Sequence, residues 1–262
     1  MTILAAEDVG IRFGGVIALE AVGFSVDAGC IFSIIGPNGA GKTTLFNIIS
    51  GIYKPDDGRI LLAGEDVTGL APHRLAAKGL ARTFQNLQIF FRLTTLENVM
   101  VGRHLREQRG FVRALLGLPS VSRQNRLTRE KARELLAFVG LADAADQPAI
   151  SLPYGGLRRL EIARALAQEP RILLLDEPAA GCNPVETEAM EILVRNIARQ
   201  GITIVLVEHA MRFVMRISNR VLVLDGGRKL AEGSAEEVRL NPTVAAAYLG
   251  RHGAGEAVRA RG

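Results

Sequence analysis

Short apolar runs alternate along this chain with stretches in which apolar residues recur at helical spacing. Five runs have the aliphatic and β-branched composition of strands: residues 31–35, 59–63, 172–175, 202–207 and 221–224. The runs around residues 31, 172 and 202 are almost wholly apolar, as expected of parallel strands that helices cover on both faces. The pattern predicts an α/β fold, and Asp225-Gly226 predicts a hairpin after the last run.

The segment 95–145 has a different pattern, because it combines helical spacing with no strand signal. We therefore expect one domain over residues 1–262, in which a helical subdomain (91–159) interrupts an α/β core (1–90 and 160–240) and a tail (241–262) follows. Gly117-Leu118-Pro119-Ser120 predicts a loop between helices within residues 115–126. The Gly-, Ala- and Arg-rich end, 251–262, predicts a frayed terminus.

Composition excludes several classes of protein. The net charge of +5 is too small to indicate nucleic-acid binding by itself, although residues 103–134 hold nine basic and three acidic side chains. Cys30 and Cys182 are too few and too far apart for a disulfide framework, which fits a reducing compartment. No apolar run approaches the roughly 18 residues that cross a bilayer, so we expect any membrane role to be exerted through a partner.

A glycine-rich turn joins the first apolar run to a helical pattern. Its sequence fits G-x-x-x-x-G-K-[ST] and is followed by Thr44: Gly36-Pro37-Asn38-Gly39-Ala40-Gly41-Lys42-Thr43. Glycines let successive backbone N–H groups turn toward phosphate oxygens, and the following helix adds the positive end of its dipole. In such a cradle Lys42 reaches the β- and γ-phosphates, and the Thr43 hydroxyl ligates Mg²⁺. These residues predict a nucleoside-triphosphate site.

Two adjacent carboxylates, Asp176 and Glu177, stand where the apolar run 172–175 ends. Asp176 is placed to hold the Mg²⁺ shell, directly or through water. Glu177 is placed to polarise a water that attacks the γ-phosphate in line. Acidic residues commonly follow a strand simply because the chain reaches the solvent there. It is their occurrence together with the glycine-rich turn that favours a phosphate-hydrolysing site.

With these two motifs the sequence resembles the ATP-binding cassette (ABC) ATPases over nearly the whole chain. The resemblance implies a P-loop NTPase core with a mixed sheet, ATP and Mg²⁺ as ligands, and a helical subdomain between the Q-loop and the signature motif. It implies that Gln85 contacts Mg²⁺ and water, and that His209 is the switch histidine near the γ-phosphate. It also implies that Phe13 stacks on adenine, although an aromatic residue at a strand end is commonly part of a core.

The signature motif departs from the usual family pattern Leu-Ser-Gly-Gly-Gln. Pro153 replaces the serine and removes its hydroxyl contact to the γ-phosphate, while Tyr154 and Gly156 replace glycine and glutamine. Gly155 and the helix after it can still present backbone N–H groups and a positive dipole end to phosphate. At the D-loop position Asn183 stands where aspartate is usual, and it predicts a helix N-cap before a proline.

Several sequence segments resemble those of the branched-chain amino-acid uptake subfamily, among them residues 81–85, 158–164 and 246–250. The longer of that subfamily's two ATPases carries an insertion in the helical subdomain, as residues 105–126 do here. The resemblance implies an ATP-hydrolysing importer subunit at the cytoplasmic face of the inner membrane. Its partners would be a second ATPase or a copy of itself in a head-to-tail dimer, two transmembrane permeases and, indirectly, an extracytoplasmic solute-binding protein. No nucleic acid is expected.

Other functions stay open at this point. Urea or short-chain amide importers and lipopolysaccharide exporters have similar ATPases, and the insertion at 105–126 weighs against the exporter. ABC proteins of DNA repair or translation generally carry two cassettes, a coiled coil or a zinc module, none of which is evident in this sequence. A nucleotide-binding regulator without turnover gains support from Pro153, whereas Glu177, His209 and Gln85 favour an ATPase.

Overall fold

The structure is a computed structural model that describes residues 1–103 and 119–248. Its strands, in chain order, are β1 (Thr2–Phe13), β2 (Val16–Asp27), β3 (Ile31–Ile35), β4 (Asp57–Leu62), β5 (Glu65–Asp66), β6 (Leu80–Arg82), β7 (Ile172–Asp176), β8 (Thr203–Val207), β9 (Arg220–Asp225) and β10 (Arg228–Gly233). Its helices are α1 (Lys42–Ile49), α2 (Pro72–Ala77), α3 (Thr95–Gly102), α4 (Pro119–Phe138), α5 (Tyr154–Leu166), α6 (Pro184–Arg199), α7 (Met211–Ile217) and α8 (Ala235–Leu240). Residues 242–248 are also helical.

The strands form two sheets. The six-stranded sheet has the order β10-β9-β3-β8-β7-β6, in which all neighbours are parallel except the β9–β10 hairpin. The four-stranded sheet, β2-β1-β4-β5, is antiparallel throughout. The mixed α/β fold and the hairpin at Asp225-Gly226 are therefore confirmed. Because β3, β7 and β8 are parallel neighbours, their carboxyl ends meet at one edge of the sheet.

Side chains of the six-stranded sheet alternate between two cores. In β8, Ile204 and Leu206 pack against helices α3 to α8, whereas Val205 and Val207 pack around α1 and the four-stranded sheet. Strand β7 alternates in the same way. Because both faces are covered, such strands are apolar at nearly every position, which is why the runs were recognisable in the sequence.

Strands β1 and β2 were not among the five predicted runs, although each is 12 residues long. Their pairing contains register shifts, and Asp8 and Ala21 have positive φ angles of 49°. A bulge shifts the inward and outward positions by one residue, so the alternation that marks a strand is lost in the sequence.

The loop predicted at 117–120, within residues 115–126, is wrong from Pro119 onward. Helix α4 begins at Pro119, which suits the first turn of a helix because proline has no N–H to leave unpaired. The remainder of that loop and residues 105–118 of the insertion lie outside the described residues, as does the frayed terminus expected at 251–262. Within the predicted tail, residues 242–248 form a helix.

Between β6 and β7 the described residues form helices and short 3₁₀ turns, with one isolated bridge between Thr94 and Pro148. Helix α3 begins with a capping box, in which Thr94 and Glu97 bond each other's backbone N–H groups, and it packs against α4 and α5. The subdomain limits at 91 and 159 stay a prediction. Among the described helices, none is both long and apolar enough to cross a membrane.

Candidate active site

The glycine-rich turn lies between β3 and α1, at the edge where β7 and β8 also end. Gly36 has a φ of 150°, and a Cβ there would collide with the carbonyl of Leu224. Gly41 has a φ of 97°, and a Cβ would lie 2.7 Å from the Ala18 carbonyl oxygen. Only glycine fits these two positions, because both the backbone conformation and the space exclude a side chain.

Lys42 is buried beneath this turn, with 5% of its surface exposed. Its Nζ donates to the carbonyl oxygens of Gly36 (2.7 Å) and Pro37 (2.9 Å). Burial lowers the pKa of Lys42, and the charge of Glu177 partly offsets that shift. The ammonium is thus held inside the turn, close enough to Glu177 to feel its charge. Thr43 is exposed and Thr44 half-buried on the first turn of α1.

Asp176 forms a buried ion pair with Arg82, 2.8 Å from Asp Oδ2 to Arg Nη2, with both side chains less than a tenth exposed. The guanidinium also donates to Asn47 Oδ1 and Ser50 Oγ at the end of α1. It lies 5.1 Å from the ring centroid of Phe46. One cation therefore links β6, the end of α1 and the end of β7.

Glu177 and His209 are in contact, with 2.9 Å between Glu Oε1 and His Nε2. Glu177 has a φ of 49°, a left-handed conformation that is strained for a residue with a side chain. Its amide donates to the Val207 carbonyl at the end of β8. The structure thus joins two residues that the sequence placed on separate motifs.

Gln85 is exposed, and its main chain is held by the signature helix α5. Arg158, only 4% exposed, donates to the carbonyl oxygens of Phe84 (3.0 Å) and Gln85 (2.8 Å). Glu161 accepts from the Phe84 amide at 3.2 Å, and burial raises the pKa of this carboxyl. The segment around Gln85 is therefore tied to α5 through main-chain groups.

The signature residues themselves pack against the segment that begins α6. The Tyr154 hydroxyl bonds Arg158, and a Cβ at Gly181 would lie 2.9 Å from the Tyr154 ring. A Cβ at Gly155 would lie 2.5 Å from Glu186 Oε1. Helix α5 begins after Pro153 without a side-chain cap.

The N-cap predicted at Asn183 is confirmed. Its side chain accepts from the Glu186 amide at 3.0 Å, while the Glu186 carboxylate accepts from the Asn183 amide. This capping box fixes the start of α6 beside Gly155.

Phe13 ends β1 with 46% of its surface exposed, so it is not a core residue. Its ring meets Tyr53 edge-on, with 5.3 Å between ring centroids. The β1–β2 hairpin that carries Phe13 passes the glycine-rich turn at Ala18 and Leu19, which lie against Gly41. An exposed aromatic ring beside this turn offers a flat surface for a base.

Tyr248, near the end of the described chain, reaches the glycine-rich turn. Its hydroxyl is hydrogen-bonded by the Gly36 amide, and burial raises the pKa of the phenol to about 12. The ring packs on the core beneath the six-stranded sheet. In the sequence, residues 246–250 indicate only a resemblance to a subfamily, so the contact of Tyr248 with the glycine-rich turn was not predicted.

Sequence reasoning also missed Arg82 and Arg158 as site residues. Arg82 and Asp176 are 94 positions apart, and Arg158 and Gln85 are 73 positions apart. The only signal available was that a basic residue beside buried apolar strands needs an acidic or carbonyl partner.

Family models match two parts of the chain. The model described as "ABC transporter" matches residues 19–180. The model described as "Branched-chain amino acid ATP-binding cassette transporter" matches residues 228–254.

Curated relatives match along most of the chain. The "High-affinity branched-chain amino acid transport ATP-binding protein BraF" of Pseudomonas aeruginosa is 43% identical over 95% of this chain and 98% of its own. LivG of Escherichia coli K12, with the same description, is 42% identical with the same coverage. The "Lipopolysaccharide export system ATP-binding protein LptB" of Haemophilus influenzae is 32% identical over 95% of this chain and 98% of its own.

Solved structures share the fold. The ADP conformation of an ATP-binding cassette of an ABC transporter has a TM-score of 0.84 and 33% identity, covering 95% of this chain and 99% of that chain. A dimeric post-hydrolysis cassette bound to ADP and Pi has a TM-score of 0.75 and 25% identity, covering 89% of this chain and 99% of that chain.

Replacing Arg82 by alanine should lower the free energy of unfolding by about 3–5 kcal/mol, because it leaves the buried Asp176 carboxylate without a cation. Urea unfolding followed by circular dichroism measures this loss. Arg59→Ala is the control, since the Arg59–Glu7 pair is 57% and 44% exposed, and it should leave stability close to wild type. Equal effects of the two substitutions would contradict the role given to the Arg82–Asp176 pair.

Proposed function

We propose that this chain, which belongs to the ABC transporter family and is an ATP-hydrolysing transporter subunit, powers the uptake of branched-chain amino acids through permease partners. The observation that carries the hydrolytic part is the Glu177–His209 contact of 2.9 Å beside the buried Lys42 turn. The observation that carries the substrate is the 43% identity to BraF over 95% of this chain.

The glycine-rich turn would hold the phosphates of ATP. An ammonium has three N–H donors, and two of those on Lys42 bond the carbonyls of Gly36 and Pro37. The third can meet a β- or γ-phosphate oxygen, and the phosphate charge would favour the protonated form that burial disfavours. The backbone N–H groups of Asn38, Gly39 and Gly41 complete the cradle in this proposal, while that of Ala40 bonds the Pro37 carbonyl and holds the turn closed.

Mg²⁺ fits the donors available here. Thr43, Gln85 and Asp176 offer hydroxyl, amide and carboxylate oxygens, which are the ligands that Mg²⁺ prefers. Among the described residues no group of three or more His, Cys, Asp or Glu side chains could hold a metal by itself. We therefore assign Mg²⁺ to these three residues together with phosphate oxygens, where it would neutralise charge on the phosphates.

Glu177 would act as the general base. In this step a water oxygen attacks the γ-phosphorus, the bond to the ADP oxygen breaks, and the Glu177 carboxylate takes the water proton. His209 would hold the Glu177 carboxylate through Nε2, since that nitrogen lies 2.9 Å from Glu Oε1. Gln85 would contact the attacking water, and its main chain is held by Arg158.

Amino-acid uptake is favoured over lipopolysaccharide export by the difference in similarity. Identity is 43% to BraF and 32% to LptB at equal coverage. The match of residues 228–254 to a branched-chain amino acid cassette model supports the same choice. Urea and short-chain amides remain the alternative transported substrates.

The functional unit is a dimer of cassettes with permease subunits, as the dimeric cassette structure and the importer names of relatives support. We propose that the dimer is head-to-tail, that the partner cassette is a second ATPase or a copy of this chain, and that an extracytoplasmic solute-binding protein delivers the amino acid. The chain would lie at the cytoplasmic face of the inner membrane, held there by the permeases. If the partner is a different ATPase, the ATP site completed by this chain's signature would be the weaker one, because Pro153 has no hydroxyl.

A groove between helix α3, the end of helix α5 and residues 87–90 suits a permease segment. It is an open cavity of about 420 Å³ lined by Leu87, Gln88, Ile89, Phe90, Val101, Gly102, Arg164 and Gln168. Phe90 is 50% exposed and Val101 43% exposed, and the groove begins two residues after Gln85. We propose that a cytoplasmic helix of the permease binds there, since apolar side chains at this place link a bound partner directly to the Gln85 segment.

Glu177→Gln should leave ATP affinity near wild type while slowing hydrolysis at least about a hundredfold, because the amide cannot accept the water proton. Binding of a fluorescent ATP analogue and phosphate release measure the two quantities. Turnover at the wild-type rate would show that Glu177 is not the base.

Phe13→Ala should weaken ATP binding by about 1 kcal/mol through lost stacking on adenine. Because stacking tolerates any base, GTP affinity should fall by a similar factor. Tyr53→Ala is a useful comparison, since Tyr53 touches Phe13 edge-on and should have a smaller effect. An unchanged dissociation constant for Phe13→Ala would remove this residue from the nucleotide site.

Phe90→Asp should abolish most of the rise in ATPase activity that reconstituted permeases produce, because it removes a half-exposed aromatic ring from the groove and places a carboxylate beside Arg164, whose guanidinium lies over that ring. ATP affinity of the purified chain should not change. Ile150→Asp is the control, because Ile150 is 71% exposed on the same subdomain and lies outside the groove. Normal stimulation of Phe90→Asp by permeases would exclude the groove as the docking surface.

A further inference from the structure

Glu208 is a buried carboxylate that the proposed chemistry leaves without a role. It follows β8 directly and is 3% exposed. Its Oε1 accepts from the Ala179 amide at 2.9 Å, and its Oε2 accepts from the amides of His209 (2.9 Å) and Ala210 (3.2 Å). The two oxygens of one carboxylate thus bond two different chain segments.

These two segments carry the Glu177–His209 pair. Ala179 is two residues after Glu177, on the segment that leaves β7, whereas His209 and Ala210 begin the segment that leaves β8. The strands themselves are joined by ladder hydrogen bonds up to Asp176 and Val207. Beyond that ladder, the Glu177 amide bonds the Val207 carbonyl, and Glu208 then bonds the main chain on both sides.

The carboxylate is chemically suited to this bridge. A buried carboxyl group tends toward its neutral form, and here burial raises the pKa of Glu208 while the three amides act in the opposite direction. All three of these hydrogen bonds need an acceptor on Glu208, and only a carboxylate offers acceptors on both of its terminal atoms. A glutamine would turn an NH₂ group toward one of the segments and leave that segment's amide without its acceptor.

We infer that Glu208 is a positioning residue, which holds the segment after Glu177 and the segment beginning at His209 at the separation that the 2.9 Å Glu177–His209 contact requires. This inference rests on the proposed ATPase function. The hydrogen bonds of Glu208 go to main-chain amides, including that of His209, and not to the side chain of Glu177 or of His209. Its effect should therefore appear in the rate of the chemical step and not in nucleotide affinity.

The alternative is that Glu208 merely stabilises the end of β8. Glu191 provides a matched control for that alternative, because it is a glutamate with 4% exposure on α6 whose carboxylate pairs with Arg216. Glu191→Gln removes a charge from an equally buried place, but its partner Arg216 is at the far end of α7 and its carboxylate bonds none of the amides of residues 179, 209 and 210. Any general effect of losing a buried carboxylate should appear in both variants.

Hydrogen exchange tests the bridge directly. In Glu208→Gln, exchange should be faster than in the wild type at the segment that faces the new NH₂ group, which is either residue 179 or residues 209 and 210, and in Glu191→Gln it should change at none of them. Glu208→Asp separates the two halves of the bridge. Its shorter side chain can still bond the amides of the next two residues, so exchange should rise at Ala179 alone. Unchanged exchange at all three amides in Glu208→Gln would overturn the inference.

Kinetics tests the consequence, with the purified chain and with the chain assembled with its partners. Glu208→Gln should lower kcat by about tenfold to a hundredfold while KM for ATP stays within about twofold, since small misplacements of catalytic groups act on the chemical step. Glu191→Gln should retain wild-type kcat. In a His209→Ala background, Glu208→Gln should cause little further loss, because the pair it positions is already absent.

Three results would overturn the inference: wild-type kcat in Glu208→Gln, equal losses in the two glutamine variants, or the same loss with and without His209. Thermal unfolding of each variant sets a temperature at which all are folded. Absence of ATP hydrolysis by the wild-type assembly would instead refute the proposed function, and the exchange measurement would still decide whether Glu208 joins the two segments.

Discussion

The buried ion pair of Arg82 and Asp176 is the interaction on which the site depends most. Asp176 ends the apolar strand β7, where an unpaired carboxylate would be very costly, and Arg82 supplies the cation from the neighbouring strand β6. The same guanidinium bonds Asn47 and Ser50 at the far end of α1. The helix that begins at the phosphate cradle is thereby fixed at its other end to the strand that carries the acids. Removing either charge alone would disturb both motifs.

The helical subdomain is attached to this core by a different kind of contact. Arg158 and Glu161 on α5 bond the main chain of Phe84 and Gln85, so the attachment does not depend on which side chains stand at those two positions. It leaves the Gln85 side chain exposed at the site. Movement of α5 would therefore displace Gln85, and the groove beside Phe90 would move with the same segment. If the proposed permease helix binds this groove and Gln85 acts as proposed, these contacts would let the permease and the ATP site affect each other.

The nucleotide motifs and most of the parallel sheet could be predicted because their signals are contiguous. A strand, a glycine-rich turn and a helix follow one another at residues 31–49, and burial on both faces makes β3, β7 and β8 apolar along their length. The long strands β1 and β2 were not predicted, because bulges shift their alternation of inward and outward residues. The sequence did not predict the roles of Arg82, Tyr248 and Glu208 for another reason. Each acts through partners brought close only by the fold, and a single sequence contains no trace of such contacts.

The signature segment explains why the two ATP sites would be unequal in the proposed dimer if the partner is a different cassette. Its polar and aromatic groups face this chain: the Tyr154 hydroxyl bonds Arg158, the Tyr154 ring covers Gly181, and Gly155 lies against Glu186. Pro153 adds no hydroxyl, and α5 begins without a side-chain cap. What this chain can offer to the opposite nucleotide is therefore mainly the main-chain N–H groups of the first turn of α5 and its dipole. The proposed site on Lys42, Asp176 and Glu177 has the full set of side chains that the motifs call for, so in a pair with a different cassette we expect it to be the stronger of the two.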